Sequence, residues 1–391
     1  MLSTSVGSLP ERKPHPTALG SLIWGHLVND ALANYLPGIL PLIALQRHVP
    51  LFLLSSLMTI LMFGQMLQPL SGLLADRIGG RALALGGPAL SVIGVVLVSV
   101  SPSYGGMALG LLLSSIGTTL FHPQAIASAR RLAGAQVGLS MSFFLVGGEF
   151  GRAIGPLVAT LLAGAVGLDH LWLVGLSVVV TWPWLLRVVP KLPPRPAASA
   201  PVDFRAHFWP AMSLGAFTGL RAGAILTVVT LIPLLWQREG GSAVLGASLV
   251  TTMIGIGIVG NLTGGVIRDR VGSGAVLWGS SATGTVLMVA LAFARGIAFW
   301  PILALLGIAL FSTSPVTALI GQDIFKENPA LGSGIALGMG NGLGALLVLP
   351  IGYAAQHVSI AFGLGLGALL LLLAFGSIGP LLRATSEHRT A

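Results

Sequence analysis

No cysteine occurs among the 391 residues, which excludes disulfides, thiolate metal ligands and cysteine nucleophiles together. Charge is nearly as scarce. Asp, Glu, Lys and Arg make up 8% of the chain, against about 25% in a soluble domain. With 54% hydrophobic residues and a mean hydropathy of +0.92, no soluble fold of this size has interior enough to hide the apolar surface, so the solvent is lipid. Acidic residues number 11 against 20 basic ones. That excess makes no nucleic-acid-binding face, because the basic residues are scattered at the ends of apolar segments, as in a membrane protein. The N-terminal stretch MLSTSVGSLPERKPHP lacks the apolar core and small-residue cleavage site of a signal peptide and is expected to be a short cytoplasmic tail. No P-loop, nucleophile elbow or metal-ligand spacing is present. Neither enzyme chemistry, nor a cofactor, nor a metal is expected.

What the chain does have is long apolar runs. A hydrocarbon core of about 30 Å needs about 20 helical residues to cross it. Cutting at polar and Pro/Gly punctuation leaves twelve such segments, at 18–45, 52–74, 82–101, 105–128, 137–166, 168–188, 206–236, 243–267, 275–294, 298–324, 331–355 and 358–382. The stretch PKLPPRPAASAPVD, 190–203, is too rich in proline for a helix and separates two sets of six. The expected organisation is an N-terminal tail (1–17), a six-helix half (18–188), a cytoplasmic linker (189–205), a second six-helix half (206–382) and a C-terminal tail (383–391). With the N-terminus inside, fifteen Lys and Arg fall in inner loops and tails and three (Arg47, Arg238, Arg295) in outer loops. Both termini are therefore expected in the cytoplasm.

The halves repeat each other. Gly72-x3-Asp76-Arg77-x-Gly79 returns as Gly265-x3-Asp269-Arg270-x-Gly272 at an offset of 193 residues, and Gly138, Gly148 and Pro156 return as Gly332, Gly342 and Pro350 at 194. A parallel repeat of this kind implies a pseudo-two-fold axis along the membrane normal with a cavity between the halves. The fold class expected is an all-α membrane protein of twelve transmembrane helices in two pseudo-symmetric six-helix halves, working as a monomer in the bilayer.

A charge at the centre of a bilayer costs at least about 2.5–3.5 kcal/mol, yet Asp30, Glu149, Arg152 and Arg221 all fall at similar mid-span depth. Two acids and two bases at one level are expected to face a shared cavity. Asp30, Glu149 and His26 are the candidates for proton coupling. Burial raises and an adjacent arginine lowers a carboxyl pKa, so rocking that changes either moves a proton. His26 lies one helical turn from Asp30. Arg152 and Arg221 remain charged under all conditions and suit an anionic substrate group, with His122, Phe143 and Asn341 as further candidate substrate contacts. In the fifth segment Gly147, Gly148, Gly151 and Gly155 form a spine that lets another helix approach closely, and Pro156 bends the helix. Static ion pairing of Glu149 with Arg152, three residues apart, is the competing role for that pair.

The loop GLLADRIGGR, containing Gly72, Asp76, Arg77, Gly79 and Arg81, resembles the G-x3-D-R-x-G-R signature of the major facilitator superfamily, with Asp269 and Arg270 in the second copy. That resemblance implies a polar latch on the cytoplasmic side which breaks as the halves rock. Gly151-x3-Gly155-Pro156 resembles the core of the superfamily's antiporter motif, although Ala159 and Thr160 stand in place of its trailing glycine pair. His26-Leu-Val-Asn29-Asp30, Phe121-His122-Pro123, Val146-Gly-Gly-Glu149-Phe-Gly151 and Gln322-Asp323 are together similar to the fosmidomycin resistance family of bacterial efflux antiporters. The resemblance implies a proton-coupled antiporter of the bacterial inner membrane that confers antibiotic resistance by exporting a small drug-like or anionic compound through alternating access. The alternative through the same fold is proton-coupled uptake or facilitated diffusion of a small metabolite.

Overall fold

A computed structural model describes residues 16–68, 70, 71, 74, 80–133, 137–189, 204–326 and 329–390. Every regular element among them is helical. Eleven helices are long and apolar enough to cross a membrane, and a shorter apolar one, Leu51–Leu67, lies where a twelfth span is expected. With no water in hydrocarbon to satisfy them, backbone groups must pair within their own segment, which is why so apolar a chain folds as helices. The spans are numbered in chain order: Pro16–Gln46, Leu51–Leu67, Gly80–Val100, Tyr104–Leu132, Val137–Val166, Leu168–Val188, Phe204–Arg238, Ala243–Val271, Ser273–Phe293, Gly296–Ile324, Leu331–His357 and Ile360–Thr390. The last helix continues beyond its expected apolar end at 382. The N-terminal tail up to residue 15 and the linker at 190–203 lie outside the described residues.

The first span is not one straight helix. It breaks between Ala33 and Leu36, because Pro37 has no N–H to continue the ladder. Asn34 Nδ2 takes up the carbonyl of Asp30 at 2.9 Å. Asp30 thus sits in the last turn before a break. The tenth span breaks likewise at Ser312, between Phe311 and Thr313, where Ser312, Thr313, Ser314 and Pro315 follow one another. The eleventh carries a π-helical stretch, Ile335–Met339, of the kind that often marks functional sites.

The apolar windows of the first and seventh spans are 72% and 78% buried, against 28% for the sixth. These pseudo-equivalent helices therefore run through the centre of the bundle. Three hydrophobic cores hold the whole together. The largest, at the end away from the termini, is common to both halves. It joins Leu36–Ile43, Leu51–Met62 and Ala159 to Leu226–Leu234, Leu249–Ile254 and Val348–Ala355. Nearer the termini each half has its own core, with Leu22, Phe121, Phe144 and Leu185 in one, and Leu214, Phe217, Ile320 and Phe325 in the other. Among the described residues, the halves therefore share one core at the end away from the termini and keep separate cores at the other. Along the seam the second and eleventh spans are tied by Phe52 N to Gln356 Oε1 (2.9 Å), Thr59 Oγ1 to the Ala345 carbonyl (2.8 Å) and Asn341 Nδ2 to Gln65 Oε1 (2.9 Å).

The glycine spine packs the fifth span against the first, as expected. A Cβ at Gly148 would run into the imidazole of His26, and one at Gly151 into the Leu27 carbonyl. Gly147 and Gly155 meet Ile23 and Ala31 in the same seam, and the Pro156 carbonyl lies against Gly38. A Gly148→Ala variant is expected to lose about 1–3 kcal/mol through overpacking, read as a lowered thermal unfolding midpoint in detergent.

Of the signature loop, Gly72, Asp76, Arg77 and Gly79 lie outside the described residues. Arg81 donates to the Leu186 carbonyl, which ties the start of the third span to the sixth. In the second copy Asp269 accepts from Arg268 at 3.1 Å on an exposed surface, and Arg270 is also exposed. Gly272 ends the eighth span with φ +87° and donates to the Arg268 carbonyl. This left-handed turn explains the closing glycine of the motif.

Candidate functional site

Asp30 is the centre of a buried polar cluster and is itself 1% exposed. His122 Nε2 of the fourth span lies 3.0 Å from its Oδ1, His26 Nε2 lies 3.6 Å from Oδ2, and Arg152 Nη2 of the fifth span lies 3.5 Å from Oδ2. Asn29 Nδ2 donates to Oδ1 at 3.1 Å. No hydrogen bond reaches Oδ2 among the described residues. Arg152 Nη1 lies 3.2 and 3.3 Å from the two oxygens of Glu149, so one guanidinium serves both acids. Asn261 Nδ2 of the eighth span, in the other half, reaches Glu149 Oε1 at 3.5 Å. The Arg152 side chain is 32% exposed, and Glu149 and His122 are part-buried beside it. Arg152 is the most exposed member of the cluster.

The two imidazoles fix the proton inventory. His26 Nδ1 is 2.8 Å from the Phe144 carbonyl and His122 Nδ1 is 2.9 Å from the Thr118 carbonyl. A carbonyl only accepts, so both Nδ1 atoms carry hydrogen. If both rings were neutral, each Nε2 would turn a lone pair toward Asp30. The 3.0 Å contact between His122 Nε2 and Asp30 Oδ1 therefore needs a proton between its atoms, on the imidazole or on the carboxyl. His26 Nε2 and the unbonded Oδ2 offer a place for a second. His26 is held in this pose by its stack on Phe144, with ring centroids 4.2 Å apart.

His26, Asp30 and His122 present ligand-type atoms within 4.8 Å of one another, a donor set that in isolation suits a divalent cation. Arg152 sets a fixed positive charge against the same carboxylate, opposing a dication at short range.

The other candidates are dispersed. Arg221, 6% exposed, is held by the tenth span and has no part in the Asp30 cluster. Its Nη1 donates to the Leu310 carbonyl (2.9 Å), Thr313 Oγ1 (3.0 Å) and Ser314 Oγ (3.0 Å). Phe143 is 58% exposed on the face of its helix that bears Phe150. Nine residues of helix, half a turn out of phase at 3.6 per turn, turn it away from Arg152. Asn341 spans the interface to Gln65, and Gln322 binds Ser333 of the eleventh span at 2.9 Å. Asn261, Gln65, Thr313 and Ser314 are not among the residues the sequence singles out. Their signal is a polar side chain inside an apolar span, which hydropathy alone ranks no higher than any other.

The family model described as Major Facilitator Superfamily matches residues 22–349. The chain belongs to this superfamily. The fosmidomycin resistance protein of Escherichia coli (strain K12) is 23% identical, over 92% of this chain and 91% of its own. The transporter YfnC of Bacillus subtilis (strain 168) is 24% identical, over 84% and 83%. Among solved structures, the nucleoside transporter NupG superposes with a TM-score of 0.76 at 13% identity, covering 93% of this chain and 99% of its own. The peptide transporter POT reaches 0.78 at 12% identity, covering 97% of each. The fold is thus that of the superfamily, and the chain is a multi-pass membrane transporter.

Proposed function

We propose that this transporter is a proton-coupled antiporter of the bacterial inner membrane, exporting a small drug-like or anionic compound of the fosmidomycin type by alternating access. The proton-requiring contact between His122 and Asp30, buried beside the part-exposed Arg152, carries the proposal. Among the described residues, every group touching the Asp30 carboxylate belongs to the first half, while Asn261 of the second half touches Glu149. Rocking of the halves thereby reaches the proton site. With Asn261 in place, Glu149 shares Arg152 with Asp30, and Asp30 gives up its proton on the side bearing the termini. The excess of basic residues at the ends bearing the termini makes that side the cytoplasm. When Asn261 withdraws, Glu149 draws Arg152 to itself, and Asp30 takes a proton from the opposite side. The distant fosmidomycin resistance relative and the antiporter-like Gly151–Pro156 stretch favour export.

Sealed proteoliposomes with an imposed pH gradient, a pH-sensitive dye and labelled fosmidomycin test this. The expected result is movement of the compound opposite to that of protons. Flux indifferent to the gradient, or in the same direction as protons, refutes it.

A further inference from the structure

Arg221 presents an unusual half-used guanidinium. All three of its hydrogen bonds leave from Nη1, to Leu310, Thr313 and Ser314 at the break of the tenth span. Nε is buried with no hydrogen-bond partner, and among the described residues Nη2 makes none either. These two atoms form the side-on edge of the fork, the edge that matches two oxygens of one carboxylate, phosphate or phosphonate group. The tie through Nη1 fixes the plane of the guanidinium, so its ordering cost is met before any ligand arrives.

No carboxylate of the described residues lies within ion-pair distance of Arg221. Glu149 is held by Arg152 and Asn261. A buried cation with an empty bidentate edge is costly to keep. A helix break stocked with three acceptors on the opposite edge is what holds it there.

We infer that the Nε/Nη2 edge of Arg221 is an anion subsite in the second half of the bundle, taking an oxyanion of the transported compound side-on. Calling that anion a substrate rests on the transport proposal above. The subsite itself does not. Thr313 and Ser314 act as positioning residues, aiming the guanidinium without touching the ligand. Substrate charge and coupling proton then sit in opposite halves.

Binding to the purified full-length transporter in detergent tests the inference without need of transport. The probes are phenylphosphonate, benzoate and the neutral dimethyl phenylphosphonate, read by isothermal calorimetry. Wild type is expected to bind one or both anions at least about tenfold more tightly than the neutral ester, and the better of the two identifies the preferred oxyanion. Arg221→Lys keeps the positive charge and removes the fork, and is expected to lose that preference. The pair Thr313→Val and Ser314→Ala leaves Arg221 in place with only the Leu310 carbonyl of its three acceptors, and is expected to weaken anion binding several-fold while leaving the ester unchanged. Equal wild-type affinity for anions and ester overturns the inference even if neither variant folds. Unchanged phosphonate and benzoate affinity in Arg221→Lys also overturns it. If liposomes show no proton-driven flux while Arg221-dependent anion binding persists, the transport proposal falls and the subsite stands.

Discussion

Asp30→Asn is expected to abolish pH-gradient-driven transport, to the level of protein-free liposomes, while leaving the bundle folded. The amide keeps the size of the carboxyl. Its oxygen still accepts from a protonated His122, and its nitrogen can donate to either Nε2 lone pair. What it cannot do is change its proton count, which the proposed coupling at the 3.0 Å contact requires. Solute exchange without a proton gradient does not need the change and is expected to persist. Gradient-driven transport at wild-type rate by Asp30→Asn would remove this carboxylate from the coupling path. His122→Gln serves as companion. It removes the partner that makes the proton obligatory, and is expected to shift the pH dependence of transport without eliminating binding.

Arg152→Gln is expected to cost both stability and transport. Removing one member of a buried ion pair costs about 3–5 kcal/mol. Because the Arg152 side chain is 32% exposed, roughly 2–4 kcal/mol is the appropriate range, read as a drop in thermal unfolding midpoint. The double variant Glu149→Gln/Arg152→Gln is expected to recover part of the stability, since one of the two acids that Arg152 compensates is gone, and none of the transport. Contacting residues couple by about 0.5–3 kcal/mol in such cycles. Recovery of both properties would make the pair a brace alone. Recovery of stability only assigns Arg152 to the coupling path between Asn261 and Asp30.

Much of this site is legible in the sequence. Asp30, Glu149, Arg152 and Arg221 are conspicuous because a charge deep in an apolar span has to be compensated. The His26–Asp30 spacing of one turn brings those two side chains together, as they are at 3.6 Å. The glycine spine announces a close helix partner without naming it, and the partner is the first span. Other assignments need coordinates. His122, read from sequence as a substrate contact, lies on the Asp30 carboxylate, because the fourth span is rotated to aim it there and Thr118 holds its other nitrogen. Phe143 shares a run with Glu149 and Arg152, yet helical phase carries it to the opposite face. Arg221 matches the acids in depth but spends one edge on the broken tenth span, a break visible in sequence only as a serine–threonine–serine–proline run.

The order of amino acids is enough to establish that this chain lives in lipid, crosses it about twelve times in two repeated halves, and keeps ionisable groups where hydrocarbon penalises them. Each of these is a local property, because span length, composition and the cost of an unpaired charge do not depend on which helix lies next door. Which groups meet is a matter of packing alone. In a bundle whose every span is apolar, hydropathy does not rank one neighbour above another. Helix rotation, glycine-sized clearances and the placing of breaks bring His122 and Arg152 to Asp30 and leave one edge of Arg221 unpaired.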